Sequence, residues 1–335
     1  MQLEEERIAT AIRQTIGADI VALLEDACVI EIMRNANGSL CIERLGHNIE
    51  ESSINLGDRA TESLIRFLAS CANEVCNEKN PTLAVKLPYW HARFQGLLPP
   101  VVDAPSFSIR KHSNHVFLLE QYLAKGELSL EQYDCIIQAV INRENIVISG
   151  GTGSGKTTFA NAILAKMIET GDRIITVEDT SELRLSAKSG QQIFTKDNIG
   201  YGSRQALKDI LRLRPDRIVL GELRDGACLD LIKAWNTGHS GGLTTIHANS
   251  CELALQRIES LISEVSVTIP RELISQTVNV VVQVKRQGPK RFVSEIKKVS
   301  GLEGQRYRLD FMRGKYGKDK TDHSAFGSDN VIHLS

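Results

Sequence analysis

Residues 145–158, Asn-Ile-Val-Ile-Ser-Gly-Gly-Thr-Gly-Ser-Gly-Lys-Thr-Thr, constrain this chain more than any other stretch. Ile146, Val147 and Ile148 read as a short buried strand, and Phe159 to Met167 continue as a helix. Between them, Gly150 to Thr157 fit G-x-x-x-x-G-K-[ST]. Glycines let the backbone curl without Cβ clashes, so successive N–H groups point at one anion. The helix that follows adds its partly positive N-terminus. This is the layout of a phosphate-binding loop. Lys156 is placed for the β- and γ-phosphates of ATP, and the Thr157 hydroxyl for Mg²⁺. Gly151, Thr152, Gly153, Ser154, Gly155, Lys156, Thr157 and Thr158 are the expected nucleotide-binding residues.

From residue 145 onward, strands alternate with helices. Candidate strands are 146–149, 173–177, 217–220 and 242–247, and candidate helices are 156–169, 204–213, 225–236 and 251–264. Such alternation predicts a parallel sheet wrapped by helices on both faces, with ligands at the carboxyl ends of the strands. A last helix and a strand pair near Val278–Val284 and Phe292–Val299 complete the unit. Residues 4–24 have amphipathic helical spacing. Val29–Met33 and Leu40–Leu45 read as a hairpin around Asn37-Gly38, and Thr61–Val75 as a second helix. Leu83–Leu87, Ala92–Leu98 and Ser106–Arg110 are extended stretches punctuated by prolines. The expected division is an α+β unit with a mostly antiparallel sheet over 1–110, a linker over 111–130, an α/β unit over 131–312, and a polar, disordered tail over 313–335. Within the linker's end, Ser129 reads as the N-cap of a helix over 131–142.

A chain of 335 residues has room for two cores. Its formal net charge of −1 gives no global pull toward nucleic acid or anionic lipid. Its seven cysteines are scattered and form no Cys-x-x-Cys pair, which argues for reduced thiols in a cytosolic protein and against zinc or a disulfide framework. The acidic N-terminus lacks an apolar signal segment, and no apolar run approaches the roughly 20 residues that span a bilayer. Membrane contact is therefore expected to be peripheral or through a partner.

Three further stretches carry chemistry. Residues 173–183 end a strand in Glu178, Asp179 and Glu182. These acids either hold Mg²⁺ and orient water or form a solvated loop. In residues 217–225, Gly221 stands where phosphate-loop ATPases usually place a metal-holding Asp, so Glu222 reads as a base or water-orienter; the alternative is a cap for the next helix. Residues 237–249 lead a glycine-rich turn into a strand that finishes in His247, which is favoured over His239 as a γ-phosphate contact. Arg93, Arg110, Arg212, Arg214 and Arg224 are candidate cations for the γ-phosphate, with surface pairing as the plain alternative.

Together, Gly-Gly-Thr-Gly-Ser-Gly-Lys-Thr-Thr, Ile-Thr-Val-Glu-Asp-Thr-Ser-Glu-Leu, Arg-Pro-Asp-Arg-Ile-Val-Leu-Gly-Glu-Leu-Arg and Thr-Gly-His-Ser-Gly-Gly-Leu-Thr-Thr-Ile-His-Ala-Asn resemble the Walker A, Asp, Walker B and His boxes of the type II and type IV secretion traffic ATPases. Arg93-Phe-Gln-Gly-Leu-Leu-Pro-Pro-Val and Phe107-Ser-Ile-Arg-Lys resemble their conjugal-transfer branch. The resemblance covers roughly residues 5–300. It implies a RecA-like ATPase unit behind a smaller α+β unit, a homo-hexamer, and nucleotide between the two units. It also implies Glu178 and Glu222 in the hydrolytic machinery, with Glu178 beside Thr157 as a metal ligand. His247 is implied near the γ-phosphate, and Arg93 and Arg110 reaching the nucleotide from the first unit. Expected partners are inner-membrane channel components and a coupling protein, at the cytoplasmic face, without sequence-specific nucleic-acid binding. A four-cysteine zinc motif, usual in type II members after the His box, has no counterpart, since Cys251 is the only cysteine there. Two other functions fit a phosphate-loop protein: a RecA-like DNA motor, disfavoured by 5% aromatics, and a nucleotide-switched docking protein.

Overall fold

The computed structural model describes residues 2–90, 92–111, 116–196 and 199–312. The tail expected to be disordered, 313–335, lies outside these residues, as does the start of the expected linker, 112–115.

The first sheet is antiparallel throughout. Helix α1 (Gln2–Glu25) packs Ile12, Ile16, Ile20 and Leu24 against it, but Gly17, at φ 79° and ψ 164°, breaks the expected continuous helix in two. Strands β1 (Val29–Arg34) and β2 (Leu40–Arg44) form the expected hairpin, with Gly38 at φ 90° in the turn. A three-residue edge strand, β3 (Glu50–Ser52), follows; it is too short and polar to show in the sequence pattern. Helix α2 (Asp58–Cys71) stops short of Val75, because Asn73 turns left-handed (φ 56°) and the Glu74 N–H closes onto the Ala69 carbonyl. Strands β4 (Thr82–Leu87), β5 (Ala92–Leu97) and β6 (Ser106–Lys111) complete the order β3-β2-β1-β6-β5-β4.

Helices α3 (Leu119–Ala124) and α4 (Leu130–Ile141) lead into the second sheet. Ser129 caps α4: its Oγ accepts the Gln132 N–H at 3.1 Å, and Gln132 Oε1 accepts the Ser129 N–H at 2.9 Å. The phosphate-loop strand is β7 (Ile146–Ser149), and its helix is α5 (Lys156–Glu169). Then come β8 (Ile174–Glu178), β9 (Gln191–Phe194), α6 (Ser203–Ile210), β10 (Arg217–Leu220) and α7 (Ala227–Asn236). They are followed by β11 (Leu243–Ile246), α8 (Cys251–Ser263), α9 (Arg271–Thr277), β12 (Val280–Gln287), β13 (Lys290–Glu303) and β14 (Arg306–Phe311). The sheet order is β14-β13-β12-β7-β11-β10-β8-β9. Pairing is parallel from β12 to β9 and antiparallel from β12 to β14.

Side chains alternate between two cores as a strand's period of two requires. Val147, Ile175, Val177, Ile218, Leu220 and Val281 pack with α6 to α9, whereas Ile146, Ile148, Ile174, Val219 and Val282 pack with α3 to α5. Both faces are therefore covered, and the RecA-like α/β unit expected from the sequence is present. Two features of the sequence gain a packing explanation here. A Cβ on Gly242 would lie 2.0 Å from Trp235 Nε1, the group that donates to the Ile218 carbonyl at 3.1 Å. Arg217, 1% exposed, donates to Asp172 Oδ2 (2.6 Å), the Gly241 carbonyl (3.1 Å) and the Val140 carbonyl (3.0 Å), tying β10 to its neighbours.

Candidate nucleotide site

The carboxyl ends of β7, β8, β10 and β11 face the first sheet across a cleft of about 820 Å³. The phosphate loop forms one wall. Its curvature depends on left-handed glycines: Gly153 at φ 70° and Gly155 at φ 94°, the latter immediately before α5. A side chain at either position would be strained. Thr152, Gly153, Gly155, Lys156, Thr157 and Thr158 line the cleft. Gly151 and Ser154 belong to the loop without lining it. Ser154 Oγ is buried and without a hydrogen-bond partner among the described residues.

Lys156 Nζ donates to the Gly150 and Gly151 carbonyls, both at 3.0 Å, and lies 3.2 Å from His247 Nδ1. An ammonium has only donors, so Nδ1 accepts. Nε2 then carries the imidazole proton and donates it to Glu222 Oε1 at 2.7 Å. Burial lowers the His247 pKa and the Lys156 charge lowers it further, against the pull of Glu222, so the ring is neutral at pH 7. Burial also lowers the Lys156 pKa, partly offset by Glu222.

The file of groups continues away from the loop. Glu222 Oε2 accepts from Arg224 Nε at 2.5 Å, and Arg224 Nη1 lies 2.8 Å from Asp179 Oδ2. Asp179 Oδ1 accepts from Arg93 Nη2 of β5 at 3.1 Å, and the Asp179 carbonyl from Lys86 Nζ of β4 at 2.9 Å. Burial works to raise the Asp179 pKa, but the two guanidinium groups prevail and hold it below the usual range. Lys156, His247, Glu222, Arg224, Asp179 and Arg93 thus form one continuous polar chain from the phosphate loop to the first sheet. Arg110 is the register partner of Arg93 and also lines the cleft.

Glu178 is placed otherwise than the sequence reading expects of a metal ligand. Its side chain is buried, does not line the cleft, and uses Oε2 to accept the N–H groups of Glu182 and Leu183, both at 2.9 Å. Burial raises its pKa to about 7, against the lowering effect of those two backbone donors. Its visible task is to fold the 179–183 turn so that Glu182, not Glu178, lines the cleft. Gly221 explains itself in the same place: a Cβ there would lie 3.2 Å from Glu178 Cβ, so the Asp usual at this position would crowd that acid. Thr245 Oγ1 donates to the Gly221 carbonyl at 2.8 Å and Leu223 N–H to the Thr245 carbonyl at 2.9 Å, which fixes Glu222 relative to β11.

The other candidates separate cleanly. His239 Nδ1 lies 3.2 Å from the Ala234 carbonyl at the end of α7 and is outside the cleft. Arg212 is exposed, 4.0 Å from Asp209, and Arg214 lies in a left-handed turn; neither lines the cleft. Sequence reasoning missed Glu43, Arg286 and Arg291, which do line it. They sit in no motif: the β12–β13 pairing sets the two arginines side by side, and packing of the first sheet against that hairpin brings Glu43 of β2 to them.

The donor set fits a nucleotide triphosphate with Mg²⁺. The loop offers a glycine-lined cradle and a buried Ser154 hydroxyl that has no hydrogen-bond partner among the described residues. Among the described residues no cluster of three or more His, Cys, Asp or Glu could hold a metal. Thr157, which lines the cleft, offers a hydroxyl that would complete a Mg²⁺ shell otherwise made of phosphates and waters.

Residues 58–303 match the family model described as type II/IV secretion system protein. Conjugal transfer protein TrbB of Rhizobium radiobacter is 39% identical over 306 residues, covering 91% of this chain and 94% of that protein. Type IV secretion system protein VirB11 of Bartonella quintana (strain Toulouse) is 33% identical over 324 residues, covering 83% of this chain and 90% of that protein. The X-ray structure of the Yersinia pseudotuberculosis ATPase DotB superposes with a TM-score of 0.63 at 17% identity, covering 84% of this chain and 78% of that one, a likeness of fold. The chain belongs to the type II/IV secretion system protein family, on the branch that holds the conjugal transfer protein TrbB.

Proposed function

We propose that this protein hydrolyses ATP with Mg²⁺ in the cleft and uses the energy to drive type IV secretion, either conjugal DNA transfer or assembly of the conjugative pilus. The observation that carries the reading is the Lys156–His247–Glu222 file beside the phosphate loop. Lys156 binds phosphate charge, leaving the Gly150 and Gly151 carbonyls to do so. Thr157 is the side chain that would hold Mg²⁺, which neutralises charge on the phosphate oxygens when bound; Glu182 faces the same space. Glu222, held at both oxygens by His247 and Arg224, orients the attacking water by position more than by basicity. His247, neutral and donating through Nε2, links Glu222 to the γ-phosphate end of Lys156. Arg93 and Arg110 bring the first sheet onto the nucleotide. Closure and reopening of the first unit around the nucleotide then convert hydrolysis into rigid-body motion.

The identity to proteins named TrbB and VirB11 supports the process. The working assembly is a ring of six that docks on inner-membrane channel components and a coupling protein from the cytoplasmic side. Among the described residues no helix is long and apolar enough to cross a membrane, so the proposed membrane contact is peripheral. The test is steady-state ATP hydrolysis by the wild type and Glu222→Gln, with solution mass measured with and without Mg²⁺ and ATP. Turnover lost by a factor of about 100 or more, with nucleotide still bound and a six-fold mass, supports the reading. Full turnover in Glu222→Gln refutes it.

A further inference from the structure

The β12–β13 hairpin, outside the four sequence boxes, closes over the phosphate loop. Its tip places Arg286 opposite Arg291 in register. Arg291 Nε lies 3.4 Å from the Gly153 carbonyl, and its Cδ stands 2.9 Å from where a Gly155 Cβ would be. Arg286 Nη1 stands 3.7 Å from the corresponding point on Gly153. Both guanidinium groups therefore reach the Gly153–Gly155 end of the loop, while Lys156 holds the Gly150–Gly151 end.

What faces these arginines is a carboxylate of the other sheet. Glu43 Oε1, on β2, lies 2.9 Å from Arg286 Nη1 and 3.6 Å from Arg291 Nη2. The contact is electrostatic without being directed: that oxygen is buried and has hydrogen-bond geometry to no donor among the described residues. Arg286 spends its Nε on the Gly288 carbonyl and Arg291 its Nε on Gly153, so no terminal nitrogen of either donates a hydrogen bond among the described residues. Two guanidinium forks share one anion without the bidentate fit that arginine makes with carboxylate or phosphate. Burial lowers the Arg291 pKa and the neighbouring Arg286 adds to it, against the partial relief from Glu43. Glu43 in turn stands opposite Glu31 in the sheet, an arrangement of like charges that a cation must offset.

We propose that Arg286 and Arg291 are phosphate-binding residues of the nucleotide site, and that Glu43 occupies the pair until the nucleotide's phosphates displace it. The inference rests on the ATP site proposed above and adds a second cationic contact to it. Phosphate oxygens, more numerous and more highly charged than one carboxylate, satisfy the free Nη donors. Their arrival releases Glu43 and loosens the first sheet from the hairpin on this side of the cleft. Nucleotide affinity and contact between the units thereby oppose each other at this point.

The test is equilibrium binding of MgATP, MgADP and adenosine to the full-length wild type, R286Q/R291Q and E43Q, with thermal melting to verify that each variant folds. The expected result is MgATP and MgADP binding weakened at least 10-fold in R286Q/R291Q with adenosine binding unchanged, and MgATP binding tightened 3-fold or more in E43Q. E43Q guards the test should the double variant fold poorly. MgATP binding unchanged in a folded R286Q/R291Q, or weakened or unchanged in E43Q, overturns the inference. A wild type that binds no MgATP refutes instead the nucleotide site on which it rests.

Discussion

Replacing Glu178 with Gln stabilises the protein above neutral pH and flattens its pH dependence. Glu178 is 6% exposed, and burial raises its pKa from 4.5 to about 7. A carboxyl whose pKa rises on folding binds its proton more tightly in the native state. Its contribution to stability is full below pH 4.5 and is lost as pH rises through 7. The difference of about 2.5 pKa units corresponds to about 3 kcal/mol at pH 8. Gln keeps an oxygen for the Glu182 and Leu183 N–H groups, so the turn's two bonds survive. It loses only the long 3.5 Å contact from Gln192 Nε2, which costs under about 1 kcal/mol. The net gain is about 2 kcal/mol at pH 8 and near zero at pH 4. Urea denaturation from pH 4 to 8 measures it, read as the midpoint at constant slope. A Gln variant less stable than wild type at pH 8, or one whose stability still falls between pH 4.5 and 7 as in the wild type, refutes the reasoning.

Gly242→Ala is expected to cost upwards of about 3 kcal/mol, because its Cβ drives into Trp235 and breaks the indole's bond to β10; thermal melting and soluble yield measure this. Ser129→Ala removes the α4 cap and costs about 1 kcal/mol in the same denaturation assay. Glu222→Gln retains nucleotide binding by equilibrium titration while losing phosphate release, since the amide neither orients water as an anion nor pairs with Arg224.

The phosphate loop and the alternation of β7, β10 and β11 with their helices were legible because both rest on local pattern: buried runs such as Ile146–Ile148, and glycines where the backbone turns left-handed. The choice among Glu178, Asp179 and Glu182 was not. Three acids within one strand end look alike in sequence, and which faces the cleft depends on how the turn after β8 folds back onto the Glu178 carboxylate. Arg286, Arg291 and Glu43 gave no signal because the arginines face each other in an ordinary hairpin, and Glu43 meets them only where the first sheet packs against it. The early end of α2 was readable in principle from Asn73, a residue tolerant of left-handed φ, but its apolar spacing ran on to Val75 and outweighed it. The burial of Arg217 is set by partners far along the chain: its donors are consumed by Asp172 and the Gly241 and Val140 carbonyls, none of which the pattern of its own strand specifies.

The most direct measurement is release of labelled phosphate from MgATP by the purified wild type and by Lys156→Ala. The account requires steady release by the wild type and a fall to background when the loop's ammonium is removed. Equal release by the two proteins would place the chemistry somewhere other than this cleft.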